Sequence, residues 1–194
     1  APVLDINTNP LNPIIGNRSF GESKTNVANR ATAIMKGIQS QGILCTGKHF
    51  PGHGETSADS HKTLPTVSST KEHIDEVELY PYKQLFDEGL ASVMVAHLNI
   101  PSLESRENIP SSASYNIVTD LLQKQLGFDG LIFTDGLGMK GASNFKGVGD
   151  LELAVLQAGI DIFLCPDDVP LALEKLKTFY TNGEITEERL AHSV

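Results

Sequence analysis

Gly42-Ile43-Leu44-Cys45-Thr46-Gly47, an apolar run, passes directly into Lys48-His49-Phe50-Pro51-Gly52-His53-Gly54-Glu55-Thr56-Ser57-Ala58-Asp59-Ser60-His61, which gathers one lysine, three histidines and two acids into fourteen residues. The run reads as a short buried strand, so Lys48 and His49 sit at its carboxyl end and the remainder forms the following loop. Pro51, Gly52 and Gly54 predict a fixed, tightly turned backbone that can hold side chains in register. In α/β barrels the carboxyl ends of the strands carry the active site.

The same strand-loop-helix order recurs on both sides of this stretch. Pro2-Val3-Leu4-Asp5-Ile6 reads as a strand, Asn7 to Gly21 as its loop, and Ser23 to Ser40 as a helix with Val27, Ala28, Ala31, Ile34, Met35 and Ile38 at helical spacing. A helix is expected from Lys71 to Glu88, broken or kinked at Pro81, and then a third strand over Ser92 to His97. Leu98 to Ser112 is loop, Ser114 to Leu126 a helix closed by Gly127, and Gly130 to Thr134 the fourth strand. A helix over Asp150 to Ala158, a fifth strand over Ile160 to Cys165 and a helix over Val169 to Asn182 follow, with Thr186 as the N-cap of a last short helix. The strands are continuous apolar runs rather than alternating ones, which predicts burial on both faces of a parallel sheet. Five such units suit either a doubly wound open sheet or part of a (β/α)8 barrel, and pattern alone does not separate them.

Whole-chain properties narrow the partners. The 194 residues suffice for one domain with a core, and 40% apolar with 6% aromatic residues is ordinary for a folded chain. A net charge of −9, from 24 acids against 15 Lys plus Arg, argues against a nucleic-acid partner, which calls for a basic face. No apolar run approaches the ~18 residues of a membrane span. Ala1-Pro2-Val3-Leu4-Asp5 carries no basic signal-peptide start, and no initiator methionine stands there either. Cys45 and Cys165 fall inside expected strands and read as buried small hydrophobes, which leaves the compartment open between cell envelope and cytoplasm.

Asp59 and His61 are two residues apart, a spacing at which a loop carboxylate orients an imidazole and stabilises its protonated form. Two other readings stand beside this acid-base pair. One is a zinc site from His49, His53, His61 and an acid, against which Lys48 sets a cation beside a cation. The other is a polar loop with internally satisfied histidines.

KHFPGHGETSADSH resembles the KHFPGHG-x-T-x-x-DSH signature of glycoside hydrolase family three, in its bacterial exo-β-N-acetylglucosaminidase branch. Thr134-Asp135-Gly136-Leu137-Gly138-Met139-Lys140-Gly141-Ala142 resembles the family's nucleophile segment. The resemblance implies a (β/α)8 barrel of which residues 1–194 supply the last five strand-helix units, as the C-terminal part of a catalytic barrel domain. It implies hydrolysis with retention at terminal β-linked N-acetylglucosamine, from peptidoglycan fragments, without a cofactor or metal. Asp135 is then the nucleophile, His61 the acid and base, and Asp59 its orienting partner. Lys48, His49 and Arg18 match sugar-binding positions. His97 either contacts substrate or hydrogen-bonds a loop, and Met139 either lines the pocket or packs under the nucleophile. Gly136 departs from relatives that carry a larger or acidic residue there.

A related glycosidase or phosphorylase, or a non-catalytic carbohydrate-binding module, would fit the same motifs. An incomplete barrel also predicts open strand edges, covered by self-association or by the missing barrel segment.

Overall fold

In the computed structural model, which describes residues 1–194, one parallel sheet has the strand order β1-β2-β3-β4, with β1 at Thr46–Phe50, β2 at Ser92–Val95, β3 at Leu131–Gly136 and β4 at Ile162–Leu164. Sequence neighbours are sheet neighbours throughout, the arrangement expected when each strand is followed by a crossover helix. The sheet is open rather than a closed barrel. The expected first strand is reduced to an isolated parallel bridge between Val3 and Lys48, flanked by hydrogen bonds from Leu4 N to Lys48 O and from Lys48 N to Pro2 O.

The second expected strand is displaced. Pairing of β1 begins at Thr46, opposite Ser92, so Ile43 and Leu44 precede the sheet and are 61% and 65% exposed. The apolar run therefore marks the approach to the strand, and Lys48 and His49 still fall among its last three residues. β3 in turn runs two residues past Thr134 and includes Asp135. β4 lies at the open edge, which is why its Ile162 is 37% exposed although the sequence predicts burial on both faces. Cys45 is buried as expected, but Cys165 is exposed, because it follows the end of this edge strand.

Helix α1 (Lys24–Gln39) starts where Ser23 accepts a hydrogen bond from Asn26 N, and it turns Val27, Ala28, Ala31 and Met35 inward. Ile34, expected on the same face, is 41% exposed. The expected Lys71 to Glu88 helix is broken into α2 (Lys71–His73), a π-helical stretch Ile74–Glu78, and α3 (Tyr80–Asp87) with Pro81 in its first turn, where a missing N–H costs nothing. The next helix is also π-wound, over Asn116–Gln125. α4 (Lys140–Ser143), α5 (Asp150–Ala158), α6 (Val169–Thr181) and α7 (Glu187–His192) complete the chain, the last capped by Thr186 as expected. A single cluster of 28 buried apolar residues, from Leu4 to Ile160, joins α1, β1, α3, β2, the second π-helical stretch, β3 and α5 in one core. No helix is long and apolar enough to cross a membrane.

Candidate active site

The carboxyl ends of the strands bring Asp5, His49, His53, His97 and Asp135 to one side of the sheet. Asp5, fully buried at the end of the Pro2 to Ile6 run, is the anchor: its carboxylate accepts from His49 N at 3.3 Å, from His53 N at 2.7 Å, and from His49 Nδ1 at 2.7 Å. Burial alone would raise the Asp5 carboxyl, but His49 and His53 outweigh it and hold it below the ordinary carboxylate range. With Nδ1 of His49 donating to Asp5, its Nε2 is left to accept from the Arg18 guanidinium, 3.5 Å away, which can only donate. Arg18 also donates to Ile14 O at 3.2 Å and is otherwise exposed, at the end of a 3-10 turn over Gly16–Arg18. Asp5 was not among the residues singled out from the sequence; the signal for it was a carboxylate inside an otherwise apolar run.

The loop after β1 is fastened at every turn. Asn12 donates to His53 O at 2.8 Å and Gly54 O at 3.1 Å, and Asn9 to Glu55 O and Thr56 O. His53 is buried, its Nδ1 2.7 Å from Thr56 Oγ1 and its Nε2 3.2 Å from Ser60 Oγ; burial lowers its pKa. Glu55 takes hydrogen bonds from Ser69 N and Ser69 Oγ. A side chain at Gly54 would collide with the backbone of Ile6, which is why the turn needs glycine there. Both nitrogens of His53 and both of His49 are thus engaged, and nowhere do three His, Cys, Asp or Glu side chains group so as to hold a metal ion.

Asp59 and His61 do meet, as their spacing predicts. Asp59 Oδ1 accepts from His61 N at 2.8 Å and lies 2.9 Å from His61 Nδ1, which directs Nε2 away from the carboxylate. The backbone bond from His61, with the imidazole, keeps the Asp59 carboxyl low. Unlike Asp5 and His49, this pair is in water: the side chains are 22% and 61% exposed.

Asp135 is the next-to-last residue of β3, with its Oδ1 accepting from Gly136 N at 2.8 Å. His97 lies beneath it, fully buried, with Nδ1 2.7 Å from Ser112 Oγ and Nε2 donating to Gly136 O at 3.1 Å. Burial lowers the pKa of His97, against the pull of the Asp135 carboxylate. Both nitrogens of His97 are thus engaged within the chain, as both nitrogens of His49 are. Met139, half-buried at the N-terminal end of α4, packs beside Gly136. The two motifs are sewn together by backbone bonds from Gly141 N to Ser60 O at 3.0 Å and from Lys140 N to His61 O at 3.4 Å. Lys48 is half-buried and forms none of the ion pairs within the chain.

The profile of the family described as "Glycosyl hydrolase family 3 N terminal domain" matches residues 1–194. The chain belongs to this family. A beta-hexosaminidase of Glaesserella parasuis is 40% identical over 181 residues, covering 91% of this chain and 52% of that protein. Among solved structures, a glycoside hydrolase family 3 beta-N-acetylglucosaminidase from Paenibacillus sp. str. FPU-7 superimposes with a TM-score of 0.96 at 41% identity, over 100% of this chain and 37% of that one. A beta-glucoside phosphorylase superimposes with a TM-score of 0.95 at 26% identity, over 100% of this chain and 36% of that one. The chain thus spans about half or less of the length of the relatives it matches.

Proposed function

We propose that the intact protein containing this chain is a retaining exo-β-N-acetylglucosaminidase, acting on terminal β-linked N-acetylglucosamine such as peptidoglycan fragments carry, and that the chain forms part of its (β/α)8 catalytic barrel. One observation carries the reading: the bonds from Lys140 and Gly141 to the carbonyls of His61 and Ser60 hold the Asp59–His61 loop against the segment that begins at Asp135. In this mechanism an Asp135 oxygen attacks the anomeric carbon while the bond to the leaving oxygen breaks and His61 delivers a proton to that oxygen. His61 then takes a proton from water, whose oxygen displaces Asp135. Asp59, bonded to the imidazole Nδ1, orients it for both transfers. Lys48, His49 and Arg18 bind the sugar, with Met139 beside it.

The test is turnover of a chromogenic β-N-acetylglucosaminide by the intact protein, with the product followed by NMR. First-formed β-anomer supports the reading, and α-anomer overturns it. The phosphorylase neighbour supports a second reading, in which phosphate replaces water as acceptor. A sugar 1-phosphate product and phosphate-dependent turnover would select it. The remaining strand-helix units, or a second chain, would cover β4 and the α6 face where Val169, Leu171 and Leu173 are 57%, 40% and 50% exposed; sedimentation of the 194-residue chain checks this.

A further inference from the structure

Beneath the motif loop lies a carboxyl group that the mechanism leaves unused. Glu78 ends the π-helical stretch Ile74–Glu78 and is 2% exposed, with neither carboxyl oxygen finding a hydrogen-bond partner within the chain. Its carboxyl lies directly under Gly52: a Cβ built on that glycine runs into Glu78 Oε2, and Gly52 takes φ +152°. The Tyr82 hydroxyl of α3, fully buried, is likewise without a partner. The charged groups that face Glu78 are both acids, Asp5 from the first apolar run and Glu55 from the motif loop, and the titratable Tyr82 is the third neighbour. An ionised Glu78 would be a buried carboxylate with no cation, no donor and two negative neighbours, an arrangement that proteins avoid because desolvation of an unpaired charge costs several kcal/mol.

We propose that Glu78 is a positioning residue of the hydrolytic site: held as an uncharged carboxylic acid under Gly52, it props the turn between His49 and His53 and leaves Asp5 as the only charged acid behind His49. The proposal rests on the hydrolase reading above. Burial first, then Asp5 and Glu55, push the Glu78 carboxyl up to about 8, so the acid stays protonated at neutral pH and ionises in mild alkali. Ionisation then sets a second negative charge next to the Asp5–His49 pair and loosens the turn. Glu78 is the last residue of the π-helical stretch, with its carboxyl against Gly52, and α3 starts afresh at Tyr80.

The experiment uses the intact protein and an activated aryl β-N-acetylglucosaminide, whose good leaving group needs little help from His61, so that the alkaline limb of kcat/KM reports the support and not the general acid. Glu78→Gln, uncharged at every pH, is expected to keep kcat/KM within about threefold of wild type near neutrality and to move the alkaline limb up by a pH unit or more. Glu78→Leu, which fills the space without polar atoms, is expected to raise KM about tenfold or more. Coincident alkaline limbs for wild type and Glu78→Gln overturn the proposal, as does a Leu variant indistinguishable from Gln. Carbon-13 NMR of the wild-type carboxyls covers the case in which a variant does not fold: a glutamate titrating near pH 8 supports the proposal, and titration of every glutamate below pH 6 overturns it. Failure here leaves anomeric retention and Asp135 untouched, whereas failure of the hydrolase reading shows as no turnover by wild type.

Discussion

The two halves of the motif loop are made of the same residue types and live in different media. From Lys48 to Thr56 the loop is clamped: Asp5 takes three bonds, Asn9 and Asn12 hold four carbonyls, and His49 and His53 are 4% and 1% exposed. From Asp59 to His61 a single carboxylate holds a single imidazole, and the imidazole is 61% exposed. The difference matches the work proposed for each. Groups that bind a sugar in one orientation gain from being fixed in advance, because the ordering cost is met on folding. A group that must give a proton to a departing oxygen and later take one from water needs access to both, and water nearby.

The deepest cut removes what both halves address. Asp135→Asn in the intact protein should lower kcat by roughly 10³-fold or more while leaving the circular dichroism spectrum and Tm unchanged, since Asp135 is only partly buried and its side chain's one hydrogen bond within the chain is to its own neighbour Gly136. Near-normal turnover would remove Asp135 as nucleophile.

Next comes the buried half. Asp5→Asn keeps the shape and removes the charge under His49 and His53, and breaking a buried, hydrogen-bonded pair of this kind costs about 3–5 kcal/mol. The folded Asp5 carboxyl lies below its unfolded value of 3.8, so its contribution to stability is complete above that pH and is lost as pH falls through the folded value. The Tm gap between wild type and Asp5→Asn should therefore be widest near neutrality and narrow below about pH 4, as a thermal melt series would show. A constant gap would mean that the carboxylate's charge is not what holds the loop.

How far the sequence could be read follows the same divide. The Asp59–His61 contact was legible because it is local: two residues of separation leave few geometries, and the loop chemistry selects one. The helix cap at Thr186 and the break at Pro81 were legible for the same reason. Asp5 was not, because its meaning lies in a parallel neighbour more than forty residues away in sequence, and an aspartate in an apolar run looks like a strand boundary until that neighbour is known. His97 carried two readings that differ only in what faces its ring, and Ser112 and the Gly136 carbonyl come from elsewhere in the chain. Strand β1 was displaced because hydrophobicity marks Ile43 and Leu44 while pairing with Ser92 starts the strand at Thr46. Barrel closure is of this kind as well: four strands in sequential order are compatible with an open or a closed sheet, and local pattern carries nothing about which.

The exposed half should answer to mutation through chemistry and not through stability. His61→Ala is expected to lower kcat/KM by about 10²-fold or more on substrates with poor leaving groups and far less on activated aryl glycosides. Asp59→Ala should give a weaker copy of that pattern, about fivefold or less, because an exposed pair of this type is worth at most about 1 kcal/mol. Neither should shift Tm by more than the small amount expected of exposed positions. Equal losses on both substrate types would turn the pair into a structural element, and a large fall in Tm would erase the contrast with the clamped half.

Gly136 offers the smallest effect and the finest test, because it joins the nucleophile to its support. Its N–H donates to Asp135 and its carbonyl accepts from His97, and both bonds use the backbone alone. It is not among the glycines with positive φ, so a side chain meets no conformational barrier there. A Cβ would rest 3.5 Å from Met139 Sδ and 3.6 Å from Met139 Cγ, which is ordinary contact. Gly136→Ala should therefore leave kcat within about twofold and stabilise the fold by about 0.4–1 kcal/mol, through the lower entropy of the unfolded chain. A loss above about tenfold would show that Asp135 has to move during turnover by an amount that only glycine at the next position allows. The site would then be mobile at its nucleophile, in contrast to the clamped Asp5–His49–His53 cluster.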